Sequence, residues 1–71
     1  MGQITIRFQT DNHAFEENGY HNEVEAVLMR ALNNFRDSVP EQGDVSYSGI
    51  LRDTNGNRIG EMKAFRKQER V

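Results

Sequence analysis

The amino-acid sequence predicts an α+β fold of β-α-β-β order, a three-stranded antiparallel sheet (strand order 2-3-1) with one helix packed on one face. Three observations predict it: an alternating apolar segment at the start, an apolar stripe of helical period in the middle, and two strand-like segments flanking Asp53-Thr54-Asn55-Gly56.

The first strand is Ile4, Ile6 and Phe8 alternating with Thr5, Arg7 and Gln9, the period of two of a strand buried on one face. Thr10-Asp11-Asn12 ends it with side chains that hydrogen-bond their own backbone in turns. Residues 11–19 are polar apart from Ala14 and Phe15, which predicts a loop whose Phe15 tucks back toward the core. From residue 22 onward Val24, Val27, Leu28, Ala31, Leu32 and Phe35 recur three and four apart, the stripe of an amphipathic helix. Asn22 with Glu25 three residues later resembles a capping box, although Gly19-Tyr20-His21 can add a turn ahead of it. Pro40 disfavours helical geometry in Val39, so the helix is expected to end near Asp37 or Ser38.

Residues 45–52 and 57–65 read as a hairpin whose loop decides which side chains face inward. A two-residue Asn55-Gly56 loop pairs Leu51 with Gly60 and Tyr47 with Ala64. A three-residue loop, a type I turn with Gly56 left-handed, pairs Leu51 with Ile59 and Val45 with Phe65, and it buries more apolar surface. On that register the expected core is Ile4, Ile6, Phe8, Val24, Val27, Leu28, Ala31, Leu32, Phe35, Val45, Tyr47, Leu51, Ile59 and Phe65. One domain spans residues 1–65, and residues 66–71 form a basic, frayed tail.

A chain of 71 residues has a small core, worth only about 3–5 kcal/mol net, and without cysteine no disulfide reinforces it. Self-association as a homodimer is therefore expected. No apolar stretch approaches the length of a membrane span, mean hydropathy is −0.84, and the alternating start lacks a signal-peptide pattern, so a cytoplasmic protein without membrane attachment is expected. The net charge of −2 is split: residues 1–48 carry Arg7, Arg30 and Arg36 against eight acids, residues 49–71 six bases against three acids.

Neither catalysis nor a cofactor is expected. His13 and His21, even with Asp11, Glu16 and Glu17 nearby, match no zinc spacing, and the carboxylate pairs Glu16-Glu17 and Glu23/Glu25 suit helix capping and solubility. One layer of sheet under one helix leaves the far sheet face open. On it Ile50 and Met62, flanked by Arg7, Arg52 and Lys63, form the candidate surface for a protein partner. The alternative is a nucleic-acid surface of Arg52, Arg58, Lys63, Arg66, Lys67 and Arg70. The pI near 5.6 and the need for Tyr47 and Phe65 in the core weigh against it.

The segment Thr10-Asp11-Asn12-His13-Ala14-Phe15, the following helix, and the hairpin from Leu51 to Gly60 with its Asp53, Asn55-Gly56-Asn57 and Ile59-Gly60 together resemble a group of short uncharacterised proteins of bacteriophages and prophages. The resemblance implies a non-enzymatic accessory protein in the bacterial host cytoplasm that binds a host or phage protein. Inhibition of a host defence system is one such role. It implies no active-site residues.

Overall fold

In the computed structural model, which describes residues 1–68, the elements follow the order β1 (Gly2–Phe8), α1 (His13–Glu17), α2 (Tyr20–Ser38), β2 (Val45–Arg52) and β3 (Arg58–Arg66). The three strands form one antiparallel sheet in the order β1-β3-β2, as the sequence predicts. The helices lie on one side of it, and α2 packs chiefly against β2.

Two features of the helical layer differ from expectation. The predicted loop contains the five-residue α1, which buries Ala14 and Phe15. α2 begins at Tyr20 with Gly19 as its N-cap, so the extra turn exists and Asn22 lies inside the helix, donating to the Asn18 carbonyl (3.1 Å). The end at Ser38, with Val39 extended ahead of Pro40, follows from the restriction a proline imposes on its predecessor.

The hairpin turn has the expected three-residue form. Asp53 N–H donates to Asn57 C=O, Gly56 N–H donates to Asp53 C=O (3.0 Å), and Gly56 takes φ +86°. The register beyond it does not follow. Arg52 pairs with Arg58, but Leu51 pairs with Gly60, leaving Ile59 without a β2 partner. This bulge turns Ile59 and Gly60 toward the same side and shifts the rest of the ladder by one, so Tyr47 faces Ala64 and Gly49 faces Met62. The apolar surface that made this register look wasteful is recovered by the bulge, which keeps Ile59 in the core.

The core is therefore Phe15, Val27, Ala31, Leu51, Ile59 and Met62, with Ile6, Phe8, Val24, Phe35 and Tyr47 packed against it. Phe8 stacks on Phe15 at 6.5 Å, and Phe35 meets Tyr47 edge-on at 5.7 Å. Three expected core residues are exposed. Phe65 is 54% exposed because the shifted register points it to the open face, while Ile4 (56%) and Leu32 (45%) are exposed because α2 lies over β2 and leaves the Ile4 end of β1 uncovered. Gly60 is required by close packing, since a β-carbon there would overlap the Arg7 carbonyl and the Phe8 Cα of β1.

Part of the expected tail is tied down. Arg66 ends β3 and donates to the carbonyls of Gly43 (2.9 Å) and Pro40 (3.1 Å), Lys67 N–H bonds Met1 C=O, and Gln68 bonds Asp44 and Gly43. Residues 69–71 lie outside the described part. Among the described residues no helix is long and apolar enough to cross a membrane.

Candidate interaction surface

The polar groups of highest order surround the hairpin turn. Glu23, expected from the sequence to serve helix capping and solubility, is instead buried at 1% exposure. Its carboxylate accepts from Thr54 Oγ1 (2.6 Å), Thr54 N–H (2.8 Å) and Asn18 Nδ2 (3.0 Å), with the Arg30 guanidinium 3.8 Å away. The Thr54 hydroxyl foremost, helped by Asn18, the Thr54 amide and Arg30, outweighs burial and holds the Glu23 carboxyl below its ordinary pKa. Asp53 is likewise buried and accepts from Asn57 N–H (2.8 Å) and Asn12 Nδ2 (3.0 Å). The Asn12 amide, then the Asn57 groups, keep its pKa low against burial. Arg30 also donates to the Arg52 carbonyl (3.1 Å), and Arg52 to the Gly56 carbonyl (3.0 Å).

These contacts join the two segments that carry the sequence resemblance, through Asn12 and Asp53. Every acceptor is used internally, and no buried side-chain nitrogen or oxygen among the described residues lacks a partner. The cluster can hold the turn to the helices. It presents no free group to a substrate.

His13 sits on α1 beside Glu16 (4.0 Å) and Glu17 (3.6 Å), all well exposed, and His21 packs against Tyr20. Among the described residues no three His, Cys, Asp or Glu side chains come together as metal ligands. A groove of about 760 Å³ at the end of the sheet, bordered by Ile4, Val45, Phe65 and Lys67, is lined by no carboxylate, imidazole or hydroxyl side chain. It offers no acid–base pair and no hydroxyl or thiol nucleophile.

The open sheet face has three cross-strand rows: Gln3, Phe65 and Ser46; Thr5, Lys63 and Ser48; Arg7, Glu61 and Ile50. Ile50 is 48% exposed here, as expected, with Arg7 and Lys63 on the same face. Met62 is absent from it. The shifted register turns Met62 inward, where it is 1% exposed, and Phe65 takes its place as the second large apolar side chain. Ile50 and Phe65 stand about 13 Å apart along the strands, separated by the Glu61–Lys63 ion pair (3.6 Å).

The bases proposed for nucleic acid do not form one patch. Arg52 and Arg58 are opposed at the hairpin base, Lys63 is paired to Glu61, and Arg66 is bonded to the turn before β2, about 26 Å from Arg58 along β3. Lys67 is exposed beyond Arg66, and Arg70 lies outside the described residues. Sequence reasoning missed Phe65 as a surface residue, because only the bulge at Ile59 distinguishes its two possible orientations.

No family model matches the chain, and neither the curated proteins nor the solved structures contain a significant match.

Proposed function

We propose that this chain is a non-catalytic binding protein that engages a protein partner through the open face of its sheet. The observation that carries this reading is the pair Phe65 and Ile50, two large apolar side chains on a face that no described element covers. Arg7, Lys63 and Glu61 between them supply the polar specificity that such a surface needs, and binding energy concentrates in a few large side chains buried at the centre of an interface. The resemblance to phage and prophage accessory proteins supports a host or phage protein as the partner and the bacterial cytoplasm as the place of action, with inhibition of a host system as one outcome.

A nucleic-acid reading gains from one observation, the exposed Phe65 beside Lys63 on a sheet surface, an arrangement suited to base stacking. The dispersal of the remaining bases and their internal pairing favour a protein.

Immobilised wild type, Ile50→Asp and Phe65→Asp, incubated with bacterial lysate, identify the partner, and the complex is then rebuilt from purified components. Phe65→Asp should weaken the rebuilt complex by about tenfold or more, with little response to salt or nuclease. A complex lost in salt and on nuclease treatment, but indifferent to Phe65→Asp, would establish the nucleic-acid reading instead.

A further inference from the structure

The first strand offers an edge that fits a second copy of itself. Gln9 N–H bonds Ile59 C=O and Lys67 N–H bonds Met1 C=O, each at 2.9 Å, between residues directly opposite one another. The odd-numbered residues of β1 are therefore the hydrogen-bonded partners of β3, and Gly2, Ile4, Ile6 and Phe8 direct their N–H and C=O groups to the free edge. The side chains of these same residues lie on the helix side of the sheet. The edge is lightly guarded: its one charge is Arg7 on the open side, and it carries no proline, no bulge and no inward-pointing charge.

On the helix side, the Ile4 end of the edge is also uncovered. Arg30 and Asn34 of α2 line the groove along the outer side of β2, so Leu28 and Leu32, about half a turn away around the helix, face the β1 side. Ile4 lies on the same cross-strand rung as Ala64 and Tyr47, and Tyr47 carries Phe35, one turn beyond Leu32. Ile4 and Leu32 thus border one apolar strip that ends at the β1 edge, and both are about half exposed.

We infer that two copies of this chain pair through β1, antiparallel about a two-fold axis at Thr5, to give a continuous six-stranded sheet with both helical layers on the same face. Of the registers that set outward-pointing groups against one another, this one pairs the most of them. Ile4 of one protomer meets Ile6 of its partner and Gly2 meets Phe8, all residues whose backbone groups point outward, and about eight hydrogen bonds close the seam. On the helix side the two Ile4–Leu32 strips join. On the open side Thr5 faces Thr5 and Gln3 faces Arg7, so no like charges oppose each other. The inference is independent of the partner surface proposed above, because it uses the strand edge and not the open face.

Molar mass is measured by light scattering across concentration for wild type and Thr5→Glu, with circular dichroism to check the fold. Thr5 is exposed and lies opposite Lys63 in its own chain, so Glu at position 5 is accommodated in the monomer but faces a second Glu at the axis of the dimer. Wild type should reach twice the 8.2 kDa of one chain, and Thr5→Glu should require about tenfold or more higher concentration to do so. Because the chain has no cysteine, Thr5→Cys gives a second readout. At a non-hydrogen-bonded pair the two Cα atoms lie about 4.5 Å apart, within disulfide reach, so mild oxidation should link Thr5→Cys into a dimer while Ser48→Cys stays monomeric. A wild type that remains monomeric at millimolar concentration overturns the inference, and so does a dimer in which Thr5→Cys links no faster than Ser48→Cys.

Discussion

Glu23 and Asp53 show how much of this small domain depends on two carboxylates that look unremarkable in the sequence. Each is buried, each accepts bonds from separate parts of the chain, and each has its pKa lowered by those bonds. A carboxylate with a folded pKa below its unfolded value contributes stability above the unfolded pKa and loses it as pH falls through the folded one. The folding stability should accordingly be level above about pH 5 and decline through the acid range below roughly pH 4. Glu23→Gln, measured by urea unfolding, should cost about 2 kcal/mol at neutral pH through loss of charge-assisted bonds, and should flatten the acid decline. An acid decline of unchanged slope in Glu23→Gln would remove Glu23 from this role. The sequence offered no way to tell Glu23 from Glu25. Both are acids near a helix start, and only the position of Thr54 in space separates the buried one from the exposed one.

The hairpin is the element in which the sequence was read furthest and then misread. Its three-residue turn with Gly56 left-handed follows directly from Asp53 at the first turn position and Gly at the last. The bulge at Ile59 follows from packing against β1, where Gly60 must approach the Arg7 carbonyl too closely for any side chain. Alternation alone carries no trace of that contact, so the expected inward residues of β3 came out reversed at Met62 and Phe65. Strand order and the apolar stripe of α2 were legible because they depend on period and length. The five-residue α1 was not, because a helix that short has no period to read. Gly60→Ala tests the close approach: it should destabilise the domain by about 2 kcal/mol or more, seen as a lower urea midpoint, whereas an equally non-polar change at exposed Phe65, Phe65→Ala, should change the midpoint little. The candidate site was half legible on the same grounds, with Ile50, Arg7 and Lys63 on the open face as expected and Met62 in the core.

At the scale of the whole molecule, a core of this size leaves little stability to spare, and the chain uses polar ties at one end and a bare strand edge along one side. Those ties run between distant parts of the chain: Glu23 accepts from Thr54 and Asp53 accepts from Asn12, so the hairpin turn is held to the helical layer by a few charge-assisted bonds. The Thr54 amide illustrates what this means for motion. A residue at the tip of a hairpin ordinarily trades its amide proton with solvent through local fraying. Here that proton is held by a buried carboxylate on α2, so releasing it requires the turn and the helix to separate. In heavy water the Thr54 amide should therefore exchange at a rate close to that of the core strands, and far more slowly than Asn55 beside it. The outermost point of the fold would then report on the opening of its centre.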